Sequence, residues 1–227
     1  LLYPKCLQKF SDGSSILEKK LEILKKINFK KNNIIFATGF REDLIKKKTN
    51  NLFKYVKNKK FNTTNMIFSL NEVLKKIKYD DICVIYADIL FQAKDLKKII
   101  LSKKKIITIV DKKWLQKWKL KRNFKEDLEE LKLKRNKVVA IGKKTNKIDD
   151  IDGRYVGITK FSKSIVQDFK KKKILKKFLL NNIKLDFTTF LMKLINNNFN
   201  VYALKKELEW HEFDTKQDFK NYEKYFR

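Results

Sequence analysis

The sequence predicts an α/β protein with a mixed, mostly parallel sheet covered on both faces by helices. Two observations carry that expectation. Short apolar runs rich in Ile, Val, Tyr and Phe alternate with longer segments whose apolar residues fall at helical spacing. Strands separated by helices of this length favour parallel pairing with both sheet faces buried. No Pro/Gly-rich linker and no internal repeat divides the 227 residues, so one domain spanning 1–227 is expected.

The elements follow in order. ILEKKLEILKKI is an amphipathic helix with Ser14 or Ser15 as its N-cap. NIIFATGF is a short buried strand ending at Gly39, EDLIKKK a helix and LFKYV a second short strand. After FNTTN, MIFSLNEVLKKI is helical; DICVIYADILF is a strand running into a loop, and AKDLKKIIL a helix. KIITIVD is a strand that ends at Asp111, and from Lys112 to Asn136 the pattern is less regular. KVVAIGKK and GRYVGITKF are strands flanking the polar turn KTNKIDDIDG. SKSIVQDFKKKKILKKFLL and DFTTFLMKLIN read as one helix each, NVYALKK as a strand, and TKQDFKNYEKYF as a terminal helix. In open α/β sheets chemistry gathers beyond the carboxyl ends of strands, which directs attention to Gly39, Asp88 and Asp111.

Composition narrows the classes. The net charge is +30, but 51 of the basic residues are lysines and only five are arginines. The lysines are spread over every helical segment rather than gathered on one face. Groove readers and phosphate clamps lean on the planar fork of arginine, so a solvated lysine coat is the plain reading and nucleic acid is not the expected partner. No apolar run approaches the ~18–20 residues of a membrane helix, and no signal-peptide pattern opens the chain. Cys6 and Cys83 stand in no metal-ligand spacing and suit a reducing compartment, so a cytoplasmic protein is expected.

Five stretches, in order, resemble one family. PKCLQKF before a helix is similar to the proline–lysine motif of the sugar-nucleotidyltransferase-like enzymes, and NIIFATGFRED to their second strand and turn. FNTTNMIFSL resembles the Asn/Ser segment that lines their nucleotide pocket. VIYADILF resembles the strand whose terminal aspartate binds Mg²⁺, and WHEFDTKQDF the closing motif that supplies a second metal carboxylate. The middle of the chain (VDKKWLQKW, EDLEELK, VVAIGKK, GRYVGITKFS) resembles the bacterial cytidylyltransferases that act on phosphocholine, aminoethylphosphonate or phosphoglutamine. Asp127-Leu128-Glu129 stands where Asp-Ala-Glu is usual there. The resemblance implies the Rossmann-like nucleotidyltransferase fold. It also implies an apolar strand and glycine-rich phosphate loop ahead of the Pro-Lys pair, hence before Leu1.

What the resemblance implies chemically is specific. A phosphate or phosphonate oxygen attacks the α-phosphorus of CTP and pyrophosphate leaves, so the site must neutralise and align two anions. Lys5 would contact phosphate where the two substrates meet, with Pro4 stiffening its approach. Gly39, Asn65 and Ser69 would bind the nucleotide, although Asn65 and Ser69 equally suit helix capping. Asp88, Asp214 and Glu212 would hold Mg²⁺; the alternative use of Asp214 is as N-cap of the last helix. Asp111, Trp114, Asp127 and Glu129 would receive the acceptor. Trp114 and Trp118, four apart, form an aromatic face able to hold an ammonium group, or else pack in the core. Asp127 and Glu129 could instead pair with Lys125 and Lys132. His211 is expected to be structural.

The expected role is thus a Mg²⁺-dependent cytidylyltransferase for surface-polymer, capsule or phosphonate decoration, with CTP and a small phospho- or phosphono-substrate as partners and a homodimer left open. A sugar-1-phosphate nucleotidyltransferase is the rival within the fold. A lysine-rich nucleic-acid or anionic-surface binder, or a regulatory subunit on the same fold, is the rival from another class.

Overall fold

The structure is a computed structural model that describes residues 3–120, 127–207 and 209–225. It confirms an α/β architecture and corrects the pairing of the sheet. The main sheet joins six strands: β3 (Ile82–Ile85), β8 (Arg154–Phe161), β5 (Ile106–Asp111), β9 (Tyr202–Lys206), β7 (Lys137–Lys144) and β6 (Glu129–Lys134), in that spatial order. Only β5 and β9 pair in parallel; β3–β8, β8–β5, β7–β9 and β6–β7 are antiparallel. β3, β5, β9 and β6 do run one way, but the reversed strands β8 and β7 lie between them. Two smaller pairs complete the described sheets. β1 (Ile35–Thr38) lies parallel to β2 (Lys54–Lys57), and β4 (Ile89–Leu90) antiparallel to β10 (His211–Glu212).

Helices cover both faces because β5 is apolar on both sides. Ile106 and Val110 face a cluster built on α3 (Met66–Lys76), α6 (Lys163–Lys171), α7 (Ile174–Asn181) and α8 (Phe187–Asn196). Ile107 and Ile109, on the opposite pleat, face α1 (Ile16–Lys26), α4 (Ala93–Ile100) and α5 (Trp114–Trp118). α2 (Glu42–Lys48) packs Ile45 against Cys6 and Leu17, and α9 (Lys216–Tyr225) closes the described chain. Ser15 caps α1 in a capping box with Glu18.

Two local expectations fail for visible reasons. The stretch read as one helix from Ser162 breaks at Lys173, which adopts a left-handed φ of 53° between α6 and α7. The irregular region contains the edge strand β6, where buried Leu131 is flanked by the half-buried charged residues Glu130 and Lys132. Gly157 lies in β8 at φ +79°, where the β5–β8 register shifts and Tyr86 approaches so closely that a Cβ would meet its ring at 2.7 Å. Among the described residues no helix is long and apolar enough to cross a membrane.

Candidate active site

The single proline explains itself in three dimensions. Pro4 is buried at φ −55° and starts the 3₁₀ turn Lys5–Leu7, with Leu7 N–H donating to the Pro4 carbonyl at 2.9 Å. Cys6 anchors this turn on Leu17 and Ile45. A few residues on, Phe10 sits in an aromatic cluster with Phe213, Phe219 and Tyr222, at ring separations of 5.1–5.4 Å. The start of the chain is thereby fastened to its last motif. That motif is in turn fastened to the end of β3: β10 pairs with β4, and Phe213 N–H donates to the Asp88 carbonyl at 2.9 Å.

These contacts bring the first, fourth and fifth motifs to one place. Lys5 Nζ lies 2.8 Å from Asp214 Oδ1 and 3.5 Å from Asp88 Oδ2. Burial alone would lower the Lys5 pKa, but the hydrogen bond and charge of Asp214, with the charge of Asp88, outweigh it and raise the pKa. Asp214 does not cap α9. Thr215 does that work with Asp218, which is buried and closes the box: Asp218 Oδ2 accepts from Asp214 N–H at 3.0 Å, Thr215 N–H at 2.7 Å and Thr215 Oγ1 at 2.9 Å. The spacing Thr215-Lys-Gln-Asp218 is a capping box legible in the sequence, and Asp218 was missed there.

Two converging carboxylates suit Mg²⁺, which binds through one or two protein carboxylates and takes its remaining oxygens from phosphate and water. Among the described residues no three or more His, Cys, Asp or Glu are grouped so as to hold a metal ion, and the place of Glu212 is given by its strand. It stands opposite Ile89 in the β4–β10 ladder and lines a small cavity with Lys117, Trp118, Trp210 and His211.

Two residues before Asp88, Tyr86 joins an aromatic group at the edge of the core, in which Phe187 is buried. Tyr86 packs edge-on to Tyr155 at 5.6 Å and to Phe187 at 5.9 Å, while Tyr155 and Phe187 stack at 6.0 Å. Glu129, at the start of β6, is partly buried in this neighbourhood, and among the described residues no hydrogen bond or ion pair holds its carboxylate. Burial raises its pKa; Asp127 and Asp186 push the same way, whereas Arg154 and Lys144 oppose them. A half-buried carboxylate left without a partner is a candidate receptor for a cation.

The other acceptor residues are placed differently from expectation. Asp111 is fully buried and accepts from Lys117 Nζ at 2.8 Å, Lys113 N–H at 2.9 Å and Trp210 Nε1 at 2.7 Å. It is an interior anchor for the segment before β10, with its oxygens turned to protein donors. Trp114 and Trp118 are 3 % and 2 % exposed, in the core cluster under α5. The Trp118 ring does meet a cation, but it is the Arg154 guanidinium, 4.2 Å from the centroid. Arg154 also binds Asp127, through Nη2 to Oδ2 at 3.0 Å and Nη1 to the backbone carbonyl at 2.8 Å. Asp127 is therefore paired with a residue distant in sequence. Lys132 goes instead to Asp150, and Lys125 lies outside the described residues.

The nucleotide-side residues are also accounted for. Asn65 Oδ1 accepts from Met66 N–H at 2.7 Å and so caps α3. Ser69 Oγ accepts from the buried Asn58 at 3.0 Å, which ties α3 to the loop after β2. Gly39 follows β1 directly, and a Cβ there would meet the Phe61 Cβ at 2.6 Å, so close packing already demands a glycine. Another site residue missed by sequence reasoning is Lys20. It lies four residues from both Ile16 and Leu24 on the apolar stripe of α1, a pattern that marks it as buried.

No family model matches the chain. The CTP:phosphoglutamine cytidylyltransferase of Campylobacter jejuni is 28 % identical over 228 residues, covering 95 % of this chain and 89 % of that protein. In fold, the chain is similar to the inositol-1-phosphate CTP transferase from T. maritima, with a TM-score of 0.69 at 20 % identity over 95 % of this chain and 82 % of that one. It is similar also to the CTP:phosphocholine cytidylyltransferase from Streptococcus pneumoniae, with a TM-score of 0.65 at 18 % identity over 99 % and 90 %.

Proposed function

We propose that this chain, similar in sequence to a cytidylyltransferase and in fold to CTP transferases, transfers CMP from CTP to a small phosphorylated or phosphonate compound that carries a cationic nitrogen. The observation that carries the reading is the convergence of Lys5, Asp88 and Asp214 from three separate stretches of chain. Its chemistry is that of a site for two anions. A terminal oxygen of the acceptor forms a bond to the α-phosphorus of CTP while the bond to the bridging oxygen breaks, and pyrophosphate leaves with that electron pair. The acceptor oxygen is already ionised, so no general base is required. The task is to hold like-charged groups in line and to stabilise the charge that builds between them.

Lys5 is the residue to do so. Its ammonium is kept charged by the two aspartates, and its turn is braced by Pro4 and Cys6. Asp88 and Asp214 are the ligands we assign to Mg²⁺, which when bound would neutralise phosphate charge. Glu129 receives the cationic end of the acceptor through charge, with the half-buried Tyr86 close by. A neutral sugar would leave the Glu129 carboxylate unpaired, so an amine-bearing acceptor such as phosphocholine, aminoethylphosphonate or phosphoglutamine fits better. Consumption of CTP suits a cytoplasmic location.

The test is release of pyrophosphate by the full-length protein given CTP, Mg²⁺ and each of those three acceptors in turn. Turnover with at least one is expected. Absence of turnover with all three, or turnover with glucose 1-phosphate instead, would refute the acceptor class.

A further inference from the structure

We propose that Lys20 is a positioning residue for the site, fixing the direction in which Asp88 leaves the end of β3. This rests on the proposed function, in which Asp88 is the acid that must be aimed.

The geometry is local and complete. Lys20 projects from the apolar stripe of α1 and is only 9 % exposed. Its ammonium donates to the Tyr86 carbonyl at 2.5 Å and to the Ala87 carbonyl at 2.9 Å. Both carbonyls lie past Ile85, the last ladder residue of β3, where the sheet no longer satisfies the backbone. Two further bonds hold the same stretch: Tyr86 N–H donates to the Gly157 carbonyl at 2.9 Å, and the Asp88 carbonyl accepts from Phe213 at 2.9 Å. Between Ile85 and Ile89 the chain is thus fixed at four backbone atoms, and one side chain supplies two of them.

A lysine there is expensive. Burying an ammonium costs several kcal/mol of desolvation unless it is fully compensated, and a Leu or Met would extend the stripe at no such cost. Among the described residues no carboxylate bonds to Lys20 directly; the negative charge of Asp88 acts on it from nearby. What the lysine gains is the hold on two consecutive carbonyls adjoining Asp88. A shift of about 1 Å in a catalytic group can cost on the order of 10²-fold in rate, so this hold has a functional consequence.

The experiment compares Lys20→Met, which keeps bulk and loses the donors, with Lys20→Gln, which keeps donors without charge. Hydrogen–deuterium exchange at the Tyr86 and Phe213 amides reads the stretch itself, whatever the activity. Pyrophosphate release from CTP reads its consequence. Lys20→Met is expected to speed exchange at those two amides about tenfold, with the rest of the sheet unchanged. It should lower kcat about tenfold or more with KM for CTP within threefold, and Lys20→Gln should restore both readouts most of the way. Parental exchange at both amides in Lys20→Met would overturn the proposal. So would equal losses in the Met and Gln variants, since bulk or charge rather than hydrogen bonding would then be at work. If the parent protein shows no turnover, the functional reading fails separately, while the exchange comparison still decides whether Lys20 holds this stretch.

Discussion

Lys5 Nζ lies 2.8 Å from Asp214 Oδ1 across 209 residues of chain, and the same ammonium reaches Asp88 Oδ2 at 3.5 Å. The contact is half exposed, so it contributes little to stability: about 0–1 kcal/mol for ion pairs of this kind. Its value lies in placement. A lysine held by two acids is charged at any physiological pH and, in the proposed function, stands where phosphate would meet a divalent cation. Lys5→Met is accordingly expected to lower kcat by about 10²–10³-fold while unfolding curves shift by less than about 1 kcal/mol. Comparable losses in both would show the residue to be a structural strut.

Asp218 supports Asp214 from behind by binding the backbone N–H groups of Asp214 and Thr215. Asp218→Ala should cost about 1–2 kcal/mol as a lost helix cap, and activity should fall further than the unfolded fraction explains. Asp218→Asn keeps an oxygen acceptor and should recover most of both, as measured by thermal denaturation alongside pyrophosphate release.

Glu129 gives a substrate-specific expectation. Glu129→Gln should raise KM for an amine-bearing acceptor about tenfold, the worth of one charge-assisted contact, and leave KM for CTP unchanged. Burial raises the Glu129 pKa above the ordinary glutamate value. Acceptor KM should therefore climb as the pH falls toward that raised value, and the climb should vanish in the Gln variant. An equal rise in both KM values would place Glu129 outside the acceptor subsite.

Lys20 sets a signature in the pH dependence of stability. Burial lowers its pKa from 10.5 to about 8, with the charge of Asp88 opposing the shift. Between those values the unfolded chain binds the extra proton, so this group adds stability as the pH rises from about 8 toward 10.5. Cys83 works the other way, because burial pushes its thiol up to about 12. The quantity to follow is thus the difference between parent and Lys20→Met in matched denaturant titrations. It should shift in favour of the parent as the pH climbs through that window, and a flat difference would contradict the burial of a charged Lys20.

Much of this was legible in the sequence, because strand ends and motif order survive without coordinates. The acid closing VIYAD and the acid in HEFD could be read as partners before any contact was known. Charge hid other features. β6 carries Leu131 and Leu133 at strand spacing, but the intervening Glu and Lys made the run look irregular. The break at Lys173 has no Gly or Pro to announce it; a non-glycine residue takes the left-handed conformation instead. Pairing direction escaped because β8 and β7 reverse between strands that do run together, and short-range patterns do not record spatial order. Asp111 looked available because it ends a strand, whereas its partners Lys117 and Trp210 come from the following helix α5 and a distant segment. Lys20 was one lysine among 51, and only its place on an apolar stripe set it apart.

The most direct test of the central claim is pyrophosphate release from CTP, with Mg²⁺ and an amine-bearing phospho-acceptor, by Asp214→Asn beside the parent. The carboxamide keeps the shape and removes the charge that Lys5 and a divalent cation would share. A fall in kcat of about 10²-fold or more with the fold intact is the expected result. Turnover at the parental rate would contradict the account.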